Sequence, residues 1–134
     1  MSEKSPIEVA NAYFEALGSG DVPAAMGMFG AGVVWHQPGA NRFSGDHNGV
    51  EGVGALLGGM MEVSQGTFRL AVTGPAMANG ELVAVPVRFT GARDGAAMDM
   101  AGVDLLTVRA GEIAEVRLFS EDGPAEDAFW GAAE

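Results

Sequence analysis

The sequence predicts a single small α+β domain, with helices wrapped around a curved antiparallel sheet that encloses one apolar pocket. Three observations carry that expectation. The 134 residues fit one domain and are too few for two ordinary ones. Hydrophobic residues make up 48% of them, enough for a substantial core, which argues against global disorder. Helical spacing dominates the first half and two-residue alternation the second, an order that belongs to α+β rather than alternating α/β folds.

Ser5-Pro6-Ile7-Glu8 announces the first helix: an N-cap serine, proline at the first helical position and glutamate at the third form a capping box. Ile7, Ala10, Tyr13, Phe14 and Leu17 then recur on one face. Gly18 supplies the stop, because glycine takes the left-handed conformation at a helix end without cost. Asp21 caps a short second helix, with Pro23 in its first turn and Val22, Met26 and Phe29 on its apolar side. Residues 33–36 read as the first strand, ended by Pro38-Gly39 and followed by a loop over residues 40–48. Asn48 and Glu51 open a third helix whose stripe is Val50, Val53, Leu57, Met60 and Met61. Gly52, Gly54, Gly58 and Gly59 each cost that helix about 1 kcal/mol relative to alanine, so packing must hold it. Close helix–sheet contact accounts for them; a mobile wall beside the pocket is the alternative.

The remainder is strand-rich. Residues 67–73 alternate with Phe68, Leu70 and Val72 on one face, and residues 82–90 put Val83, Val85, Val87 and Phe89 on one side. Pro86 cannot donate to a ladder, which requires an edge or a bulge there. Residues 98–109 and 113–119 are joined by Ala110-Gly111 as a two-residue hairpin turn, and residues 124–130 form a last short helix. No repeat or linker interrupts the chain, and residues 1–4 are expected to be a flexible tail.

The charge balance narrows the partners. Eighteen acids against seven bases give a formal charge of −11, and no basic cluster interrupts the acidic surface, so nucleic acid and anionic membranes are poor partners. No apolar run is long enough to span a bilayer, and the first residues lack an apolar signal segment, which predicts a cytoplasmic location. The absence of cysteine excludes disulfides, thiolate chemistry and Cys-ligated zinc. The two histidines, His36 and His47, have no carboxylate at ligand spacing, so no metal site is expected. No phosphate-cradling glycine loop or Gly-x-Ser-x-Gly elbow occurs, and no cofactor is expected.

Four stretches carry a resemblance. They are Ala12-Tyr13-Phe14-Glu15 through Gly20-Asp21; residues 34–41, Val-Trp-His-Gln-Pro-Gly-Ala-Asn; Ser44-Gly45 leading to Gly49-Val50-Glu51-Gly52; and residues 104–113. Their order and spacing resemble the SnoaL-like polyketide cyclase branch of the nuclear-transport-factor-2-like superfamily, to which the ketosteroid isomerases also belong. The resemblance runs from about residue 6 to residue 130. It implies a cone-shaped sheet whose wide end is closed by helices over an internal pocket, frequently in a homodimer. Fold alone does not set function, and the superfamily also holds epoxide hydrolases and proteins without a catalytic role.

Asp104 is the leading candidate for chemistry. It stands mid-strand between Val103 and Leu105, on the face of Gly102, Leu106 and Val108. A carboxyl facing an apolar cavity is desolvated, which favours its neutral form and makes it a proton donor. The resemblance implies the role of the acid in the isomerase oxyanion hole, and Tyr13 matches the helix-one tyrosine that completes that hole. The isomerases' general-base aspartate falls at Gln37, whose amide takes no proton at neutral pH, so steroid isomerisation is not expected. His36 beside it is titratable and could serve as the base. Neighbouring strand residues face opposite sides, so His36 and Gln37 cannot both point inward in a regular strand, and Trp35 shares the parity of Gln37. Asp99 lies on the face opposite Asp104. His47 is expected near the pocket mouth, and Asn41 either holds an Asx turn or contacts a ligand. Met26, Met60, Met61, Met98 and Met100 read mostly as core filler; beside Phe14, Trp35, Phe89 and Phe119, and with Leu57, they are also candidates for a soft wall that binds a polycyclic ligand.

These residues point to a cofactor-free enzyme resembling the SnoaL-like cyclases. It would carry out acid/base-assisted ring closure or isomerisation of a bulky apolar, carbonyl-bearing intermediate. Two other expectations stand beside it. Epoxide opening by an Asp-Arg-Asp set needs an inward arginine, and Arg88 falls opposite the Val83–Phe89 face. A non-catalytic dimer that binds a hydrophobic ligand would use the same pocket. Apolar residues on both faces of the strand at Val103, Leu105, Leu106 and Val108 predict a covered outer surface, and hence a homodimer.

Overall fold

In the computed structural model, which describes residues 4–132, the capping box at Ser5 forms in full. The Ser5 hydroxyl accepts from the Glu8 amide at 3.2 Å and the Glu8 carboxylate accepts from the Ser5 amide at 2.8 Å, launching α1 (Pro6–Gly18). Of the tail expected at residues 1–4, all but Lys4 lies outside the described residues. The inner face of α1 buries Val9, Ala10, Tyr13, Phe14 and Ala16 and leaves Ile7 at the surface. The helix stops differently from expectation. Gly18 is its last residue, Ser19 caps it in a right-handed conformation, and the left-handed turn falls at Gly20, at φ 80°. The Asp21 carboxylate then accepts from the Ala24 amide and caps α2 (Val22–Met26).

β1 (Phe29–Gln37) begins before the apolar run that marked it. The expected loop after it contains a short strand, β2 (Gly45–Asn48), which pairs antiparallel with the end of β1, Trp35 opposite His47 and His36 opposite Asp46. Gly-Asp-His-Asn carries no apolar alternation, because this edge strand buries almost nothing. Asn48 precedes α3 (Gly49–Val63) but makes no side-chain cap bond. Then follow β3 (Arg69–Val72), β4 (Met77–Asn79), β5 (Leu82–Arg93), β6 (Ala96–Arg109), β7 (Glu112–Ser120) and α4 (Gly123–Trp130).

The architecture is α+β and cone-like, a curved sheet of seven strands that does not close. The strand order is β2-β1-β7-β6-β5-β3, with β4 beside β5. The sheet is mixed rather than antiparallel throughout, because β1 runs parallel to β7. No hairpin joins those two strands, so nothing forces them to oppose. The β6–β7 hairpin turns at Ala110 and Gly111, both at positive φ (53° and 78°), as a tight turn of matching twist demands. Pro86 sits at a local edge of β5 and not at a bulge: the register with β6 runs unbroken through Pro86 opposite Val103, while its other side faces the gap between β3 and β4. Its carbonyl accepts from the Thr73 amide, so its nitrogen faces the same side. There β3, paired with residues 87–90, has ended, and β4, paired with residues 82–84, has not begun. The missing donor therefore meets no acceptor.

The inner face of the sheet buries Val83, Val85, Val87, Leu106, Val108, Ile113 and Val116 against α1, α3 and the Phe129-Trp130 end of α4. Each such side chain contributes about 1.5–3 kcal/mol. In α3 the buried positions are Val53, Leu56 and Met60, while Val50 and Met61 reach the surface. Of its glycines, Gly59 is a close-contact position, where a Cβ would lie 2.9 Å from the Phe43 ring; Gly58 has open space. Gly102 of β6 is tighter than Gly59: its Cβ would meet the Phe119 carbonyl oxygen at 2.6 Å and the Phe89 ring at 2.7 Å. Gly102→Ala is therefore expected to lose about 3 kcal/mol in urea unfolding, since the backbone atom cannot give way. Gly18→Ala, in open space at the end of α1, should instead gain about 0.5 kcal/mol.

Candidate active site

Asp104 sits in the middle of β6, opposite Val85 on one side and Leu118 on the other. Alternation along the strand places it with Leu106 on the inner face, where it is 6% exposed. It lines a cavity of about 710 Å³ between the sheet and the helices. Trp35, Leu57, Met60, Phe68, Leu70 and Phe89 form much of the apolar wall, and the exposed Val22, Met61 and Arg69 mark the mouth. The polar groups Tyr13, Gln37, Asp104, Ser120 and Glu126 also line it.

The electrostatics of these groups diverge. Burial desolvates the Asp104 carboxyl, and the charge of Glu126 adds to the effect, so its pKa is pushed up to about 7. Below that value Asp104 is a neutral O–H donor. Burial, with the Asp104 charge adding to it, also raises the Tyr13 phenol, which stays protonated at physiological pH.

Glu126 is the residue that sequence reasoning missed. The Asp122 side chain accepts from the Ala125 amide at the start of α4, and Glu126 follows in the first turn. It is 5% exposed. Its Oε1 accepts from the Ser120 hydroxyl at 2.5 Å; its Oε2 accepts from the Trp130 indole at 3.2 Å and the Gln37 amide at 3.4 Å. Gln37 in turn accepts from the Trp35 indole at 2.9 Å. The available signal was spacing: Glu126 lies one helical turn before Trp130, so a helix that buries Trp130 carries Glu126 inward.

Several expected site residues lie elsewhere. His36 faces the outer surface of the sheet, its side chain 29% exposed, with Nδ1 2.6 Å from Asp46 and Nε2 2.7 Å from Glu115. The irregularity of β1 falls between Phe29 and Val34, so strand alternation beyond it turns Trp35 and Gln37 inward and His36 out. The Glu115 hydrogen bond, aided by Asp46 and opposed by partial burial, raises the His36 pKa. Asn41 is outside the cavity: its Oδ1 accepts from the Phe43 amide in an Asx turn, and its Nδ2 donates to Asp127. His47 also misses the cavity, with Nε2 2.7 Å from the Phe43 carbonyl oxygen. Phe14 packs edge-on against Tyr13, behind the cavity wall. Phe119 reaches the cavity edge, but it stands opposite Val103 and is 54% exposed, so its ring belongs to the outer face. Met98 and Met100 are core residues. Trp35, Met26, Leu57, Met61 and Phe89 do line the cavity. Arg88 pairs with Asp99 at 2.6 Å on the exposed face, so it supplies no inward guanidinium for epoxide opening.

The chain belongs to the SnoaL-like domain family, whose match spans residues 10–116. Its fold is that of a Xanthomonas campestris protein of unknown function with a cystatin-like fold, at 45% identity and a TM-score of 0.91, covering 96% of this chain and 99% of that one. It is also similar to Bal32a from a soil-derived mobile gene cassette (27% identity, TM-score 0.87, 94% and 96% covered). A candidate polyketide cyclase from Pseudomonas putida shares the fold at 20% identity and a TM-score of 0.69, with 92% and 98% covered. No curated protein matches the chain. Among the described residues no helix is long and apolar enough to cross a membrane, and no group of three or more His, Cys, Asp or Glu is placed to hold a metal ion.

The raised pKa of Asp104 has a stability consequence. In the unfolded chain the group titrates near about 3.9. Its folded-state value is higher, so its contribution is complete below the unfolded value and is lost as the pH rises through about 7. Wild-type protein should lose up to about 4 kcal/mol from this group on going from acid to mildly alkaline pH. Asp104→Asn should flatten that part of the slope in urea unfolding across the range; an unchanged slope contradicts the assignment.

Proposed function

We propose that this protein is a cofactor-free enzyme of carbonyl chemistry, acting on a bulky apolar intermediate in a ring closure or isomerisation. Asp104 and Tyr13 donate hydrogen bonds to one carbonyl oxygen as it gains enolate charge. The observation that carries this reading is a buried carboxyl, its pKa pushed up to about 7, in the same apolar cavity as a phenol. Donors aimed at a developing oxyanion in a dry site act far more strongly than in water. Membership of the SnoaL-like family and a cavity with room for a fused-ring skeleton support it. The likeness to a candidate polyketide cyclase is consistent with it at the level of fold.

β-Tetralone, a bicyclic apolar ketone, tests the reading without knowledge of the natural substrate. Wild-type protein should catalyse exchange of its α-protons into heavy water, read by NMR. Asp104→Asn should slow the catalysed exchange by about 100-fold and Tyr13→Phe by about 10- to 100-fold. Undiminished exchange in Asp104→Asn contradicts the reading.

The site belongs, in this proposal, to a homodimer assembled through the outer face of the sheet. Met77 opposite Ala84, Ala84 opposite Leu105, and Pro86, Val103 and Phe119 in the next row form an apolar band there, with Met77, Val103 and Phe119 exposed. Light scattering should give a dimer for the wild type and a monomer for Val103→Glu; a wild-type monomer at micromolar concentration overturns the proposal.

A further inference from the structure

A cavity that holds an enolate oxygen needs a group to take the carbon-bound proton, and the lining offers few. Tyr13 stays protonated, Asp104 is committed to the carbonyl oxygen in the reading above, and Gln37, Trp35 and Ser120 are not bases at neutral pH. His36, the base that strand position suggested, points out of the cavity between Asp46 and Glu115. Glu126 remains. It enters the cavity from the opposite side of the chain's order, from α4 rather than β1.

We propose that Glu126 is the general base of this cavity, drawing the α-proton from a carbonyl ligand whose oxygen is held by Tyr13 and Asp104. This rests on the carbonyl-enzyme reading above and adds the missing half of its chemistry. The donors around Glu126 fit an anion: a hydroxyl on Oε1, and an indole and an amide on Oε2. A carboxylate offers about four acceptor positions, so these three leave Oε1 room for one more partner from the cavity. The contrast with Asp104 is one of supply. Asp104 makes none of the side-chain hydrogen bonds that Glu126 receives, although both line the same space. Two carboxyl groups in one pocket, one without donors and one supplied with three, form an acid–base pair in this proposal.

The step balances without any further reactant. The α C–H bond breaks and its electron pair forms the enolate C=C bond. The carbonyl π pair moves onto oxygen, where the Tyr13 and Asp104 hydroxyl groups hold it, and the proton passes to a Glu126 oxygen. Isomerisation of a ketone with a β,γ double bond returns that proton to the γ-carbon of the conjugated dienolate, and the double bond moves to the α,β position. In ring closure the enolate carbon attacks a second carbonyl carbon, and the new alkoxide takes the proton. A purely structural Glu126, tying α4 to the sheet through Ser120 and Gln37, would affect unfolding but not the pH dependence of proton transfer.

The test is α-proton exchange of β-tetralone and phenylacetone in heavy water as a function of pH. Wild-type exchange should show an acid limb from loss of the base and an alkaline limb from loss of the Asp104 proton. Glu126→Gln, which can keep the Ser120 contact, should lose at least about 100-fold and lack the acid limb, while Glu126→Asp retains the limb at a lower rate. Wild-type rates in Glu126→Gln, with Asp104→Asn still impaired, overturn the assignment of Glu126 and leave the carbonyl-enzyme reading standing. No exchange of either ketone by the wild type overturns both. If Glu126→Gln does not fold, Glu126→Asp decides: drawing the carboxylate back by one methylene should slow exchange by at least about 10-fold, and a wild-type rate overturns the proposal.

Discussion

The carboxyl of Asp104 faces an apolar cavity from the middle of a sheet, and an ionised carboxylate there carries a desolvation cost of several kcal/mol. A buried carboxyl can meet that cost by acquiring a cation, by collecting hydrogen-bond donors or by keeping its proton. The lining places no lysine or histidine beside it, and its arginine, Arg69, stands at the mouth with its guanidinium on the Gly66 and Phe68 carbonyls. Protonation is the course left, and the charge of Glu126 reinforces it. Glu126 takes the second course, with Ser120, Trp130 and Gln37 donating to it. One pocket thus treats two carboxyl groups in opposite ways, and the proposed acid–base pairing depends on that difference.

The fold supplies the difference through rigid elements. The pairing of β5 with β6 runs from Leu82 opposite Thr107 to Arg93 opposite Ala96, which fixes the depth and direction of Asp104. Tyr13 is set by α1, whose start is pinned by the capping box, and Glu126 by α4, whose start is pinned by Asp122. On the other side of the sheet, His36 bridges Asp46 of β2 and Glu115 of β7, joining three strands across the outer face. Strand alternation therefore divides the polar groups of β1 between two tasks: Gln37 within the cavity and His36 in an ion-pair cluster outside it.

Features whose cause is local were legible in the sequence. Ser5-Pro6-x-Glu8 specifies a helix start within four residues, Ala110-Gly111 specifies a hairpin, and the valines from Val83 to Val87 specify a half-buried face. Asp104 stood out because a charge amid an apolar strand is rare without a reason. Features set by partners elsewhere in the chain were not legible. Gly-Asp-His-Asn becomes β2 because the edge of β1 is open to it, and β4 is three exposed residues laid against β5. The parallel β1–β7 pair joins the two ends of the sheet's sequence order, which no local pattern encodes. Whether His36 or Gln37 faced inward depended on where β1 shifts register, and the burial of Glu126 depended on the docking of α4. Resemblance supplied the region of the site, and packing supplied its second carboxylate.

The most direct measurement of the Asp104 protonation state is the titration of its side-chain carboxyl carbon by NMR, assigned by its loss in Asp104→Asn. The group should still be protonated at about pH 6 and titrate with a pKa of about 7. An Asp104 that is already ionised at about pH 5, with the ordinary aspartate value of about 3.9, would contradict this expectation.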